Sequence, residues 1–246
     1  MDRWAGKIAI VTGANSGIGF ATANALVLKN MIVVGVDLKK EKMESEIKST
    51  KGRGKFYSRL CDVSKSENVN ELFEWVKKNL GYPRVVVNCA GIIVEGRLID
   101  TNSSDWKKVI NTNLIGLLNC CQKGVSIMKE CDDECHIVNI CSNTGQRIFR
   151  DPVLQLNIYP AAKHAVRAVT TTLEHELLGS KIRISNICPG FVKTAIAKNT
   201  NLEKLMSDKP YLETEDIAES IIYILGTHPR VQVKELTISA LGEQLF

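Results

Sequence analysis

Short apolar runs alternate along this chain with stretches whose apolar residues fall three and four apart. The first pattern predicts buried strands and the second amphipathic helices. Lys7–Val11 reads as a strand, and Gly17–Lys29 as a helix with Ile18, Ala21, Ala25, Leu26 and Leu28 on its apolar side, stopping at Asn30. Ile32–Val36 is a second strand, Lys40–Ser49 a polar helix with Met43 and Ile47 inward, and Lys55–Leu60 a third strand. Ser64 followed by Glu67 has the spacing of a capping box and opens a helix that runs to Leu80. Arg84–Asn88 is unbroken and apolar, as expected where helices cover both faces of a parallel sheet. Asp105–Lys129 predicts a long helix, His136–Cys141 a strand, Pro160–Leu178 a helix, and Ile182–Ile187 a strand. Thr214 caps a helix to Leu225, and Val231–Ile238 closes as the last strand. Seven strands alternating with six helices predict an α/β fold, a Rossmann-type doubly wound parallel sheet of about seven strands flanked by helices in three layers. With no repeat or linker, residues 1–246 read as a single domain.

Composition narrows the function classes. The chain has 246 residues, 32 Lys+Arg against 27 Asp+Glu, and a formal net charge of +5. Those charges are scattered, and no basic run or aromatic-interleaved patch points to nucleic acid. The apolar run Ile8–Val11 is too short for a signal peptide, and nothing approaches the roughly 18 apolar residues of a membrane span. The eight cysteines lie mostly in apolar segments and read as reduced core residues of a cytoplasmic protein. Cys131 and Cys135 have no second Cys/His pair at a matching interval, so no metal site is expected.

The candidate chemistry sits where strands end. Gly13, Asn15, Ser16, Gly17, Ile18 and Gly19 form a glycine-rich turn between the first strand and the first helix. Glycines there let the backbone approach a pyrophosphate held by amide N–H groups. Asp37, with Leu38 beside it, ends the second strand 18 residues past Gly19. A carboxylate at that place accepts hydrogen bonds from ribose hydroxyls and repels a 2′-phosphate, which favours NAD over NADP, although Lys39 or Lys40 could reach a phosphate. Asp62 and Val63 follow the third strand, and Asn88, Cys89, Ala90 and Gly91 leave the fourth at the expected crevice. Asn113 is either a core amide with a backbone partner or a functional polar group in an apolar helix. Ser142 follows the fifth strand, where its hydroxyl can stabilise a developing alkoxide. Tyr159 and Lys163, four apart, share one side of a helical turn. The ammonium is expected to lower the phenol from its usual ~10, so that the pair passes a proton to or from an alcohol; the plainer alternative is a solvated helix face. No G-x-S-x-G elbow surrounds Ser142, which argues against a serine nucleophile.

Taken together, Thr12-Gly-x-x-x-Gly-Ile-Gly19, Asp62-Val63, Asn88-Cys-Ala-Gly91, Asn113, Ser142, Tyr159-x-x-x-Lys163 and Pro189-Gly-Phe-Val-Lys-Thr194 resemble the short-chain dehydrogenase/reductases over nearly the whole chain. The resemblance implies that Tyr159 is the general acid/base, that Lys163 lowers its pKa and binds the nicotinamide ribose, that Ser142 orients the substrate oxygen, and that Asn113 holds a water of the proton relay. It implies that Pro189, Gly190, Val192 and Thr194 pack on the nicotinamide and its phosphates, and that the chain forms homodimers or homotetramers through the helices at Asp105–Lys129 and Pro160–Leu178. Cys89 stands where the family usually has a second Asn, Pro160 follows the tyrosine directly, and the Ser142–Tyr159 interval is long. The last two features, with the Val231–Ile238 segment, look like the branch of insect farnesol dehydrogenases and member-eleven-like dehydrogenase/reductases, often NADP-linked.

The expectation is therefore an enzyme interconverting an alcohol and its carbonyl by hydride transfer. A substrate loop is expected at about 143–158 and a lid at about 194–214. Asn143, Gln146, Ile148, Phe149, Leu154 and Leu156 would wall the pocket from the loop, with Ala195, Ile196, Leu202, Leu205 and Met206 opposite. That lining favours a small hydrophobic alcohol or carbonyl, with Arg147 and Arg150 at a solvated edge. The alternatives are an NADP-dependent carbonyl reductase, or a dinucleotide-binding protein without catalysis.

Overall fold

The computed structural model describes residues 1–49, 51–149, 154–197, 200–201, 203–204 and 209–243. Strands β1 (Ile8–Thr12), β2 (Ile32–Asp37), β3 (Lys55–Leu60), β4 (Pro83–Asn88), β5 (Cys135–Ile140), β6 (Ile182–Pro189) and β7 (Glu235–Ile238) form an all-parallel sheet in the order β3-β2-β1-β4-β5-β6-β7. The order turns back between β1 and β4, so a crevice opens beyond their carboxyl ends, where Thr12 is in register with Asn88 and Asn88 with Asn139. Helices α1 (Gly17–Leu28), α2 (Glu41–Glu46), α3 (Ser66–Asn79), α4 (Ser103–Ile110), α5 (Gly116–Glu130), α6 (Tyr159–Glu176) and α7 (Thr214–Gly226) cover the two faces.

The strands read as apolar runs because both faces are buried. On one face Ile10, Val34, Val86, Ile137 and Ile184 pack against Phe73, Ile127, Met128 and Val166 from α3, α5 and α6. On the other, Ala9, Val11, Val33, Val85, Val87 and Val138 meet Leu26 and Val27 of α1 and Ile217, Ile221, Ile224 and Leu225 of α7. Each large side chain buried this way contributes about 1.5–3 kcal/mol before chain entropy is subtracted. The outcome is a rigid sheet whose carboxyl edge carries the polar residues.

Several local expectations are overturned by stronger local partners. The Ser64–Glu67 capping box does not form. The Ser64 N–H and hydroxyl both donate to Asp62 Oδ1, at 3.0 and 2.6 Å, and α3 begins two residues later. At α7 the cap is Glu213 rather than Thr214, in a reciprocal box with Asp216. The last strand starts at Glu235, not Val231. Carbonyls before it are taken by side chains of β6: Arg183 donates to Val231 O at 2.8 Å and Ser185 to Val233 O at 2.5 Å. The predicted polar helix at Lys40–Ser49 shrinks to α2, since the chain turns extended at Ile47. The long helix predicted over Asp105–Lys129 is interrupted by a π turn at Asn111–Ile115 that divides α4 from α5. Such turns widen the helix and recur at functional sites.

Candidate active site

A cleft of about 640 Å³ runs along the carboxyl edge of the sheet. Its β1 end is built for close backbone approach. Thr12 Oγ1 accepts the N–H groups of Cys89 and Ala90 at 3.1 Å each, tying β1 to the end of β4. Gly13 has φ +69°, and a Cβ there would stand 3.0 Å from the Ala90 backbone. A Cβ on Gly19 would lie 2.2 Å from Gly13 O, so only glycine lets this turn close under α1. Ser16, Gly17, Ile18 and Gly19 line the cleft, and the N-cap Ser16 makes no side-chain cap bond. The partial positive charge of the α1 N-terminus is thus offered to the cleft. Facing it, Thr194 Oγ1 is buried with no hydrogen-bond partner among the described residues. An orphaned hydroxyl, an uncapped helix start and tightly closed glycines fit a phosphate-bearing dinucleotide.

Asp37 stands at the end of β2 on the cleft wall. Its oxygens accept the N–H groups of Asn15 (3.1 Å) and Lys39 (3.3 Å), which fixes the carboxylate while leaving lone pairs for a ligand. Of the two lysines that could have bound a phosphate, Lys40 is paired with Glu44 at 3.0 Å. Leu38, Asp62, Val63, Ala90 and Gly91 line the same stretch, and Leu38 is 69% exposed, an apolar shelf beside the carboxylate.

At the other end the cleft brings Ser142, Tyr159 and Lys163 together. Pro160 sits in the first turn of α6, where its missing N–H costs nothing, and Tyr159 begins the helix. Lys163, one turn on, puts Nζ 5.5 Å from the centre of the Tyr159 ring and donates to Ile140 O at 2.8 Å. The Ser142 oxygen accepts from Thr144 N (3.1 Å) and Thr144 Oγ1 (2.9 Å). Burial pushes the Tyr159 phenol above its ordinary value, opposed by its hydrogen bond with Ser142. That is the reverse of the lowering expected from the pairing with Lys163. Desolvation sets the direction, the neighbouring Cys141 adds to it, and burial likewise pulls the Lys163 ammonium down.

Asn113 lies one layer behind, in the π turn. Its Oδ1 accepts from Ile92 N at 2.8 Å and its Nδ2 donates to Ile92 O at 2.9 Å, which leaves one N–H and one lone pair of the buried amide. Five further predicted residues do not line the cleft. Asn15 Oδ1 accepts the Lys42 and Met43 N–H groups at 3.1 Å each and so caps α2. Asn88 is buried in the sheet, donating to Asn139 Oδ1 at 2.8 Å. Gln146 donates to Glu235 and Thr237 of β7 (2.9 and 2.7 Å), and Leu154 packs in the cluster behind Tyr159. Ile148 is exposed outside the cleft. Arg150, Leu202, Leu205 and Met206 lie outside the described residues.

Asn143, Phe149, Leu156, Ala195 and Ile196 do line the cleft, as do Pro189, Gly190, Val192 and Thr194. The sequence reading missed Ile92, Ile93, Lys108, Asn111 and Thr112 as lining residues. The last three are spaced i, i+3, i+4 on the helix that carries Asn113, a signal that could have found them. Ile92, Ile93, Phe149 and Phe191 belong to one apolar cluster with Tyr159, and the Phe149 and Phe191 ring centres are 6.3 Å apart.

Comparison with known proteins agrees with this geometry. Residues 7–205 match the model of a family described as short chain dehydrogenase. The farnesol dehydrogenase of Aedes aegypti is 43% identical over 250 residues, 99% of this chain and 100% of that protein. Dehydrogenase/reductase SDR family member 11 of Bos taurus is 34% identical over 248 residues, 96% of each chain. A solved short chain dehydrogenase/reductase from Burkholderia phymatum in complex with NAD has a TM-score of 0.85 at 25% identity, covering 96% of this chain and 90% of that one. An alcohol dehydrogenase from Thermococcus sibiricus complexed with 5-hydroxy-NADP shares the fold, with a TM-score of 0.83 at 24% identity, covering 97% of this chain and 98% of that one.

Proposed function

Because this chain belongs to the short-chain dehydrogenase family, and is an oxidoreductase by that membership, we propose that it interconverts a hydrophobic alcohol and its carbonyl with a nicotinamide cofactor, NAD in preference to NADP. The observation that carries this reading is the convergence of Ser142, Tyr159 and Lys163 at the apolar end of a cleft whose other end is the Gly13–Gly19 turn. A nicotinamide, when bound, supplies the hydride acceptor for oxidation or the donor for reduction and, in its oxidised form, a positive charge.

The protein's own residues handle the proton and the orientation. Tyr159 takes the hydroxyl proton as the alcohol is oxidised and returns it in reduction. Ser142, its oxygen oriented by the two Thr144 donors, shifts the proton it gives to Asn143 Oδ1 at 3.2 Å over to the substrate oxygen and stabilises the developing alkoxide. Lys163 uses one of its three donors on Ile140 O and keeps two for the ribose hydroxyls. Its charge and the cofactor's together favour the phenolate that burial alone opposes. Asn113, with one N–H and one lone pair beyond its Ile92 bonds, holds a water through which the proton passes on. Asp37 takes the adenosine ribose hydroxyls and repels a 2′-phosphate.

Ile92, Ile93, Phe149, Leu156, Phe191 and Ile196 give the pocket an apolar wall, and the Aedes aegypti relative is a farnesol dehydrogenase. Both favour a terpenoid, steroid or long aliphatic alcohol. We read the chain as a single domain, assembling as a dimer or tetramer through α5 and α6. No described helix is long and apolar enough to cross a membrane, and the eight free cysteines suit a reducing, cytoplasmic setting. The test is an oxidation screen with NAD and with NADP across terpenoid, steroid and aliphatic alcohols. Turnover of hydrophobic alcohols, faster with NAD, is expected. A tenfold preference for NADP overturns the cofactor assignment, and no turnover of any alcohol overturns the function.

A further inference from the structure

Glu243, close to the C-terminus, reaches the substrate end of the cleft from across the molecule. Its Oε1 accepts from Phe191 N at 3.2 Å and from Asn143 Nδ2 at 3.3 Å, contacts 52 and 100 residues away in sequence. Its Oε2 accepts from Ala240 N at 3.1 Å and shares the Phe191 N–H at 3.3 Å. The carboxylate lies directly against Gly190, where a Cβ would come within 2.2 Å of Oε2. A side chain at position 190 would displace the Glu243 carboxylate from this place.

The two groups it joins follow the neighbouring strands β5 and β6, and both line the pocket. Asn143 follows Ser142 and lines the cleft from the β5 side. Phe191 lines it from the β6 side and packs with Phe149 and Tyr159. Nothing else among the described hydrogen bonds links the Asn143 side chain to the Phe191 backbone. All three groups that reach the carboxylate are donors, which suits an acceptor-only ionised side chain. Glu243 is half-buried, and that burial raises its carboxyl above the ordinary value, with the three donors offsetting only part of the rise.

We infer that Glu243 is a positioning residue that clamps the Asn143 and Phe191 walls and thereby sets the width of the substrate pocket. The inference rests on the proposed alcohol–carbonyl activity. A clamp of this kind acts on how a bulky alcohol is held, with little effect on the Gly13–Gly19 and Asp37 end of the cleft or on the proton-transferring phenol. Glu243→Gln keeps the shape but turns an amide N–H toward donors, and Glu243→Ala removes the clamp.

The test measures steady-state oxidation of a long hydrophobic alcohol and a short one, together with NAD binding and thermal midpoint, for wild type, Glu243→Gln, Asn143→Ala and the double variant. Glu243→Gln should raise KM for the long alcohol by about tenfold, the scale of losing a hydrogen bond to a charged group. Its kcat, KM for the short alcohol and NAD affinity should stay within about threefold. Asn143→Ala should raise the same KM, and the double variant should add little, since both remove one contact. An unchanged KM, or additive effects of the two variants, overturns the clamp, as does a loss confined to thermal midpoint. Wild-type protein that oxidises no alcohol overturns the proposed function instead, and the two failures are told apart by that control.

Discussion

Lys163 stands with its ammonium 5.5 Å from the centre of the Tyr159 ring, yet the phenol is held above its ordinary pKa, because its burial, with Cys141 beside it, disfavours the phenolate while burial pulls Lys163 down as well. A buried cation is partly spent on its own desolvation, and Nζ already donates to Ile140 O. In the cofactor-free protein Tyr159 is therefore protonated throughout the neutral range. A near-ultraviolet difference titration of wild type against Tyr159→Phe should show no phenolate from this residue below pH ~10, the ordinary value. With oxidised cofactor added, the same titration should show it ionising at lower pH.

Asp37 carries the cofactor choice. Its carboxylate is fixed by the Asn15 and Lys39 N–H groups, and Lys40 is occupied by Glu44. Asp37→Ser removes the negative charge without enlarging the side chain. The ratio of kcat/KM with NADP to that with NAD should rise by about tenfold or more, equivalent to ~1.4 kcal/mol of differential binding. An unchanged ratio would move the selectivity to another residue.

The pH dependence of folding has a separate origin at the far edge of the sheet. His136 is fully buried on β5, its Nε2 2.8 Å from Ser185 Oγ and its Nδ1 without a partner among the described residues. Burial first, then the Arg183 and Arg3 charges, lower its pKa to about 3. The unfolded chain takes up this proton near its ordinary ~6.5, so the stability is fully present above that pH and is lost as pH falls from there toward 3. In urea titrations stability should decline by up to about 1.4 kcal/mol per pH unit from this one group. His136→Gln should flatten the slope between pH 6.5 and 5, above the range where carboxylates dominate.

Much of the fold was legible because burial on both sheet faces writes itself as apolar runs. Val33, Val34, Val85, Val86 and Val87 admit no amphipathic helical reading, and all are buried. The glycines at 13 and 19 were legible for a related reason: a Cβ at either would come within 2.2–3.0 Å of neighbouring backbone. What escaped the sequence was set by competition or distance. Ser64 has a capping partner at Glu67 by spacing, but Asp62, two residues before it, takes both its N–H and its hydroxyl. The π turn at Asn111–Ile115 spans too few residues for its period to differ visibly from 3.6. Asn15 and Gln146 have partners on α2 and β7 that no local pattern announces. Glu243 lies 100 residues from Asn143, and only the folded sheet brings them together.

The central claim is that Tyr159 moves the proton in an alcohol–carbonyl interconversion. Tyr159→Phe removes one oxygen from a buried ring that keeps its apolar cluster, so folding and the dinucleotide end should survive. The direct test is the single-turnover rate of alcohol oxidation by this variant, beside its NAD affinity by fluorescence titration. The rate should fall by about 10²–10⁴-fold while the affinity changes less than about threefold. A Tyr159→Phe protein that binds NAD and oxidises the alcohol at the wild-type rate would contradict the mechanism.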